Sequence, residues 1–307
     1  MRKTPLMSFS PLGAWARLAH LGRWLALGLA VSAGVAVAAP PGRPDHLTVG
    51  LLPGESAPTV MRLNEPLRAY LEKRLGMPVK LVVGANYAAT GEALRFGRLD
   101  IAYLGPVTYI LQSRRAKLEP FARPSHAGVG PTFKAVIIVP NDSPAMTLSD
   151  LKGKEIAFGD PASTSGTWVP RYQLLESGLV AGKNYTLRVL GAHDAVALAV
   201  ENHRVAAGGL SQPIYQRLLK EGKLDPAKVR VLAESDPIPE YMWTFRAGLD
   251  PAFKEELRRA FLEVQDPAAL GVFRAEAFVP AVDKDVNLVR QWIEAIRKHS
   301  PEAVPAP

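Results

Sequence analysis

Three consecutive hydroxyl residues and a glycine, Ser163-Thr164-Ser165-Gly166, follow the apolar run Ile156-Ala157-Phe158 and the turn Gly159-Asp160-Pro161-Ala162. A strand running through such a turn into a helix makes an anion cradle. The first backbone N–H groups of a helix have no intrahelical partner, and the positive end of the helix dipole favours negative charge there. The hydroxyls add groups that donate or accept as required, which suits an oxyanion that keeps some of its protons. The same residues also fit a plain helix cap, for which Ser and Thr are favoured. Matching residues at other strand ends separate the two readings.

Such residues recur. Asn86-Tyr87 follow the run Val79–Val83, Gly105-Pro106-Val107-Thr108 follow Ile101–Leu104, and Gly191-Ala192-His193-Asp194 follow Tyr185–Val189. Each is ordinary alone: Asn86 is a common cap, Gly105-Pro106 a common turn, and a single histidine most often a surface or capping residue. Together they aim several positive helix ends at one anion. Hydrolytic chemistry is not indicated, because Ser165, His193 and Asp194 come with no G-x-S-x-G elbow: Pro161 stands two places before Ser163. A G-x-x-x-x-G-K-[ST] loop is missing. The six histidines are scattered without helical ligand spacing and cysteine is absent, so neither a metal nor another cofactor is expected. Trp168, Trp243 and Trp292 read as packing groups rather than a stacking platform.

The elements that must position these residues alternate. His46–Leu52 reads as a strand, followed by a helix whose stripe Leu63, Leu67, Tyr70, Leu71 and Leu75 ends at Gly76 and Pro78. Strand Val79–Val83, helix Tyr87–Phe96 and strand Ile101–Leu104 continue a βαβα order, which predicts an α/β protein with mostly parallel sheets flanked by helices. Phe133–Val139, Glu155–Phe158, Tyr185–Val189 and Val229–Ala233 extend the strand series. The C-terminal part is helical, with Asp250-Pro251 as a start signal and Val286, Val289, Ile293 and Ile296 striping the last helix. No long Pro/Gly/Ser linker divides residues 50 to 290. Two lobes crossed twice by the chain fit better, with Phe133–Pro140 and Ile238–Phe245 as the crossings. The expected partition is 45–134 with 242–307 in one lobe and 135–241 in the other. Ligands of open α/β sheets bind beyond the carboxyl ends of the strands, and a guest between hinged lobes favours closure.

Residues 1–38 hold Arg2, Lys3, Arg17 and Arg23 without an acidic residue, then an apolar run from Trp24 to Val37 and the A-x-A pattern Ala36-Val37-Ala38. This reads as a signal peptide, too short in its apolar core for a membrane span, which needs roughly 20 residues. A soluble periplasmic protein, not membrane-spanning after cleavage, is the expectation. Without the four signal cations, the formal charge of +8 falls to +4. No run of basic residues interleaved with aromatics suggests nucleic-acid binding. The tail after Ser300 reads as disordered.

The strings Gly159-Asp160-Pro161-Ala162-Ser163-Thr164-Ser165-Gly166 and Gly191-Ala192-His193-Asp194-Ala195-Val196 resemble those of the phosphonate/phosphite/phosphate-type periplasmic solute-binding proteins of ABC importers. Asn86-Tyr87-Ala88 and Gly97 to Pro106 extend the resemblance, which spans roughly residues 46 to 265. It implies a two-lobed type II periplasmic binding protein fold with two hinge strands, closing on a small phosphorus oxyanion and delivering it to an ABC permease in the inner membrane. By position, Ser163, Thr164 and Ser165 would hold phosphoryl oxygens, Tyr87 would donate from the opposite lobe and His193 would contact another oxygen. Gly166, Thr108, Phe133, Gln212, Glu240 and Tyr241 are secondary candidates. Phe133 stands where members often have a tyrosine, and Ala206 where an aspartate is usual. Gln212-Pro213 and Glu240-Tyr241 occupy the places where relatives set carboxylates against a ligand ammonium, and of these only Glu240 is acidic. The resemblance therefore implies phosphite, a small alkylphosphonate or phosphate rather than an amine-bearing ligand. A sensory module of the same fold, signalling to a membrane receptor or kinase, would need the same cleft.

Overall fold

The computed structural model describes residues 43–299; the segment read as a signal peptide and the tail after Ser300 lie outside the described residues. In chain order the elements begin with β1 (Leu47–Leu51), α1 (Ala57–Leu75), β2 (Val79–Val83), α2 (Tyr87–Arg95), β3 (Ile101–Leu104), α3 (Pro106–Ser113), β4 (Glu119–Ser125), β5 (Thr132–Phe133) and β6 (Ala135–Pro140). They continue with β7 (Glu155–Gly159), a π-helical turn Thr164–Trp168, α4 (Val169–Glu176), β8 (Thr186–Gly191), α5 (His193–Glu201), β9 (Ala207–Ser211), α6 (Gln212–Lys220) and β10 (Val229–Glu234). After β11 (Ile238–Pro239) and β12 (Met242–Phe245) come α7 (Pro251–Leu262), α8 (Pro267–Gly271), β13 (Ala277–Pro280) and α9 (Asn287–His299). Local chemistry sets the ends: Gly76 closes α1 at φ +63, which glycine adopts without a Cβ clash. The Asp250 carboxylate accepts the Phe253 N–H at the start of α7.

Two sheets form two lobes, in the orders β13-β4-β12-β3-β1-β2 and β10-β6-β9-β7-β8. Parallel pairing holds where strand–helix alternation predicts it, in β2-β1-β3 and in β8-β7-β9. The sheets are mixed beyond that, because β12 and β6 arrive from the other lobe without a covering helix and run antiparallel to their neighbours. Between the sheets, β5 and β11 pair antiparallel as a two-stranded ribbon, Phe133 opposite Ile238 and Thr132 opposite Pro239.

Each sheet is covered on both faces. In the first, Leu47, Val49 and Ile101 are buried with Leu67 and Leu71 of α1 and Phe253 and Leu257 of α7. Phe121 and Phe245 stack there with centroids 3.9 Å apart. In the second, Val136, Ile138 and Ala157 face Val196 and Val200 of α5, while Ile137, Ile156 and Phe158 pack with Leu174 of α4. The α9 stripe is buried, and its Trp292 stacks on Tyr172 of α4 at 5.5 Å, tying the last helix to the second lobe. Trp168, Trp243 and Trp292 are all buried packing groups. No helix among the described residues is long and apolar enough to cross a membrane.

Candidate functional site

The hydroxyl triplet follows β7, at the carboxyl end of a central strand. Ser163 is the cap, its Oγ accepting the Gly166 N–H at 3.1 Å, and the Trp168 N–H reaches back to the Ser163 carbonyl at 3.2 Å. The first turn is therefore widened to π geometry before α4 continues. Capping does not exhaust the triplet. Ser163, Thr164 and Ser165 have no solvent exposure, and Ser165 Oγ is buried with no hydrogen-bond partner among the described residues. A buried hydroxyl without a partner is costly unless a ligand supplies one. Gly166 is needed for close approach: a Cβ there would stand 2.8 Å from His193 Cε1 and 2.9 Å from Ser163 Oγ.

The first lobe brings the ends of three elements to this turn. Tyr87 opens α2, and its N–H donates to Asp160 Oδ2 at 3.0 Å, while Asp160 Oδ1 accepts the Ala162 N–H at 2.7 Å. Burial raises the Asp160 pKa even against those two donors. The Val107 N–H, in the first turn of α3, donates to Thr164 Oγ1 at 3.0 Å. The Gly54 carbonyl, after β1, accepts the His193 N–H at 2.9 Å. The hydroxyls of Tyr87 and Tyr241 lie against each other and against Ser163, and that of Tyr241 also faces Ser165. Burial pushes the Tyr241 phenol up to about 12 and Tyr87 well above its ordinary value, so both keep their protons. His193 Nδ1 accepts the Ser211 N–H at 3.2 Å, which places the ring proton on Nε2, and burial pushes its pKa down to about 4. Every group converging on the cradle is thus a neutral donor at pH 7, apart from Asp160, whose oxygens are spent on backbone N–H groups.

Beside the cradle lies a cavity of about 260 Å³, with Tyr87, His193, Tyr241, Glu240 and Phe133 in its wall. The structure thus brings Ser163, Ser165, Tyr87, His193 and Tyr241 together, with Tyr241 central rather than secondary. Ser163, Thr164, Ser165 and Gly166 sit behind the aromatic and imidazole rings rather than in the cavity wall. Two secondary candidates point elsewhere. Thr108 Oγ1 donates to the Ala162 carbonyl at 3.0 Å and helps hold the lobes together. Gln212 Nε2 donates to Glu234 Oε1 at 2.7 Å in an exposed hydrogen bond, and Gln212 lines a neighbouring cavity rather than the one beside the cradle. Phe133 packs edge-to-face with Tyr241, the ring centroids 5.6 Å apart, and its ring carries no hydroxyl donor. Sequence reasoning missed Gly54, Glu55, Tyr103, His126, Arg217 and Arg274. The turn after β1 is a strand end like the others and was the one available signal; the rest come from elements distant in sequence.

Two sheet-based lobes joined by a paired-strand ribbon, with polar helix ends meeting between them, define a two-lobed solute-binding protein. Residues 49–286 match the family described as ABC transporter, phosphonate, periplasmic substrate-binding protein, and the chain belongs to that family. Its members bind solute for a transporter and are not enzymes. The chain is 29% identical to the phosphonates-binding periplasmic protein of Escherichia coli, over 79% of this chain and 74% of that one. It is 27% identical to the phosphate-import protein PhnD of Mycolicibacterium smegmatis, over 81% and 85% respectively. Among solved structures, a binding protein component of an ABC phosphonate transporter from Pseudomonas aeruginosa superimposes with a TM-score of 0.77 at 24% identity, covering 85% of this chain and 89% of that one. That likeness shows the type II periplasmic binding protein fold.

Proposed function

We propose that this protein captures a phosphorus oxyanion, a phosphonate, phosphite or phosphate, between its lobes and delivers it in the periplasm to an ABC permease of the inner membrane. The single observation carrying this reading is the convergence of buried, neutral hydroxyl and imidazole donors from both lobes around Ser165, whose own hydroxyl has no partner. Ser163, Thr164 and Ser165 with the first N–H groups of their helix hold the phosphoryl oxygens, Tyr87 and Tyr241 donate phenolic O–H bonds, and His193 donates from Nε2. Hydrogen bonds to a charged acceptor contribute about 1.5–3 kcal/mol each, and a set already oriented in a dry cleft loses little of this to ordering. No arginine is required. Residues 1–38 serve as the export signal, residues 45–134 with 242–307 form one lobe, and 135–241 form the other. Family membership supports the transport assignment, and sheet membership supports the partition.

Thermal unfolding with phosphate, phosphite, methylphosphonate and sulfate tests the reading. A ligand that binds only the folded state stabilises it by mass action, about 2.7 kcal/mol at a hundredfold excess over Kd, and so raises Tm. At least one phosphorus oxyanion raises Tm while sulfate does not; a flat response across the panel refutes it.

A further inference from the structure

The cavity is lined by Tyr87, His193 and Tyr241, so it opens directly from the donors of the cradle, with the hydroxyl triplet behind them. About 260 Å³ has room for several waters, at about 30 Å³ each. Leu63, Ile214, Val272 and Phe273 give its wall an apolar part. A head group in the cradle therefore leaves a chamber for a substituent, and the charged residues around that chamber say what the substituent carries.

Two carboxylates line it, and both are engaged. Glu55, from the first lobe, pairs with Arg217 of α6 in the second, and Arg217 is shared with Glu221 at 2.9 Å. Glu240 Oε1 accepts the Tyr103 hydroxyl at 3.2 Å, and Oε2 faces His126 Nε2 at 3.3 Å. His126 Nδ1 lies 3.1 Å from the Arg274 carbonyl, so both ring nitrogens face acceptors and only the imidazolium satisfies both. The Glu240 hydrogen bond is the largest of the effects raising the His126 pKa. An ammonium group would thus meet no free carboxylate here.

Arg274 differs. Its guanidinium has no carboxylate within 4 Å among the described residues, and its nearest acceptor is Gln216 Oε1 at 3.5 Å. It stands between the chamber and a second cavity of about 320 Å³ that shares His126, Phe133 and Pro213. Its backbone is left-handed at φ +51, a conformation costing a non-glycine residue about 1–2 kcal/mol.

We propose that the solute is a phosphonate or phosphate monoester whose organic substituent ends in an acidic group, the substituent filling the chamber and its acid pairing with Arg274. This rests on the anion-cradle reading and adds the ligand class. Calorimetric titration of the full mature protein with methylphosphonate, propylphosphonate, 3-phosphonopropionate and 2-aminoethylphosphonate tests it. The carboxylate-ended ligand binds about threefold tighter than propylphosphonate, as an ion pair on the exposed Arg274 guanidinium gives, and the amine-ended ligand binds weakest. Arg274→Gln brings the carboxylate-to-propyl ratio to about one, and Arg274→Lys keeps a preference for the acid. Equal affinities in the parent protein, a preference for the amine, or a ratio that survives Arg274→Gln overturns the inference while leaving the cradle reading intact. Absence of binding by every phosphorus compound, phosphite and phosphate included, overturns both.

Discussion

The two ends of the cleft handle polarity in opposite ways. At the cradle, hydroxyls, backbone N–H groups and a neutral imidazole converge, and the one buried carboxylate, Asp160, is consumed by the N–H groups of Tyr87 and Ala162. At the far end, formal charges meet in pairs, Glu55 with Arg217 and Glu240 with His126. Neutral donors keep their orientation without a counter-ion and can release a guest; paired charges exclude guests of the wrong sign. Burial carries different consequences too. It holds His193 neutral at one end, while at the other a carboxylate partner raises the His126 pKa against the opposing effect of burial.

The contrast is sharpened most by removing the hydroxyls together. Replacing Ser163, Thr164 and Ser165 by alanine deletes hydrogen bonds worth about 1.5–3 kcal/mol each to a charged acceptor, so affinity falls by at least about a thousandfold with circular dichroism unchanged. Calorimetry giving a Kd near the parent value would remove the triplet from the site. Next comes Gly166→Ala, whose methyl would meet the His193 ring and Ser163 Oγ. Overpacking of this kind costs about 1–3 kcal/mol, and a lowered urea midpoint together with weakened binding is the expected pair of results. Tyr87→Phe is milder, about 0.5–1.5 kcal/mol in binding, or more if its bond is to a charged oxygen, read by the same titrations.

The smallest effect at neutral pH lies in the two histidines, whose pKa values move apart. His193, lowered in the folded state to about 4 from 6.5, binds fewer protons than in the unfolded chain between those values, so its contribution makes stability fall as pH drops through that window. His126 is raised, so its stabilisation is full below 6.5 and is lost as pH rises through its higher folded value. Imidazole NMR titration should place His193 far below His126. Urea unfolding between pH 4 and 6.5 should show a shallower pH dependence for His193→Gln than for the parent. A His193 resonance titrating near 6.5 would show that this ring is not sealed from water.

The cradle was more legible in the sequence than the chamber, for a physical reason. Ser163, Tyr87 and His193 each follow a strand and open a helix, so sheet topology alone predicts that they meet. Ser163 shows that capping and site readings coexist, since its oxygen serves the Gly166 N–H at the mouth of the cradle. Tyr241 ranked low because it follows a crossing strand rather than opening a helix, yet the ribbon of β5 and β11 delivers it to the centre. The chamber charges lie far apart in the chain, His126 before β5 and Arg274 between α8 and β13, and no local period links them. Mixed sheet direction was hidden for a related reason. Alternation of strand and helix describes β1 to β3 and β7 to β9, whereas β6 and β12 have no helix of their own to reveal their direction.

The bonds between the lobes bear on affinity as well as on the fold. Tyr87 with Asp160, Val107 with Thr164, Thr108 with Ala162 and His193 with Gly54 bond the lobes directly, through protein atoms alone. The resting balance between gaping and clasped states is therefore written partly into the polypeptide, and the measured dissociation constant scales inversely with the clasped fraction. Weakening any of these bridges loosens every guest by the same factor and leaves the ranking among guests unchanged.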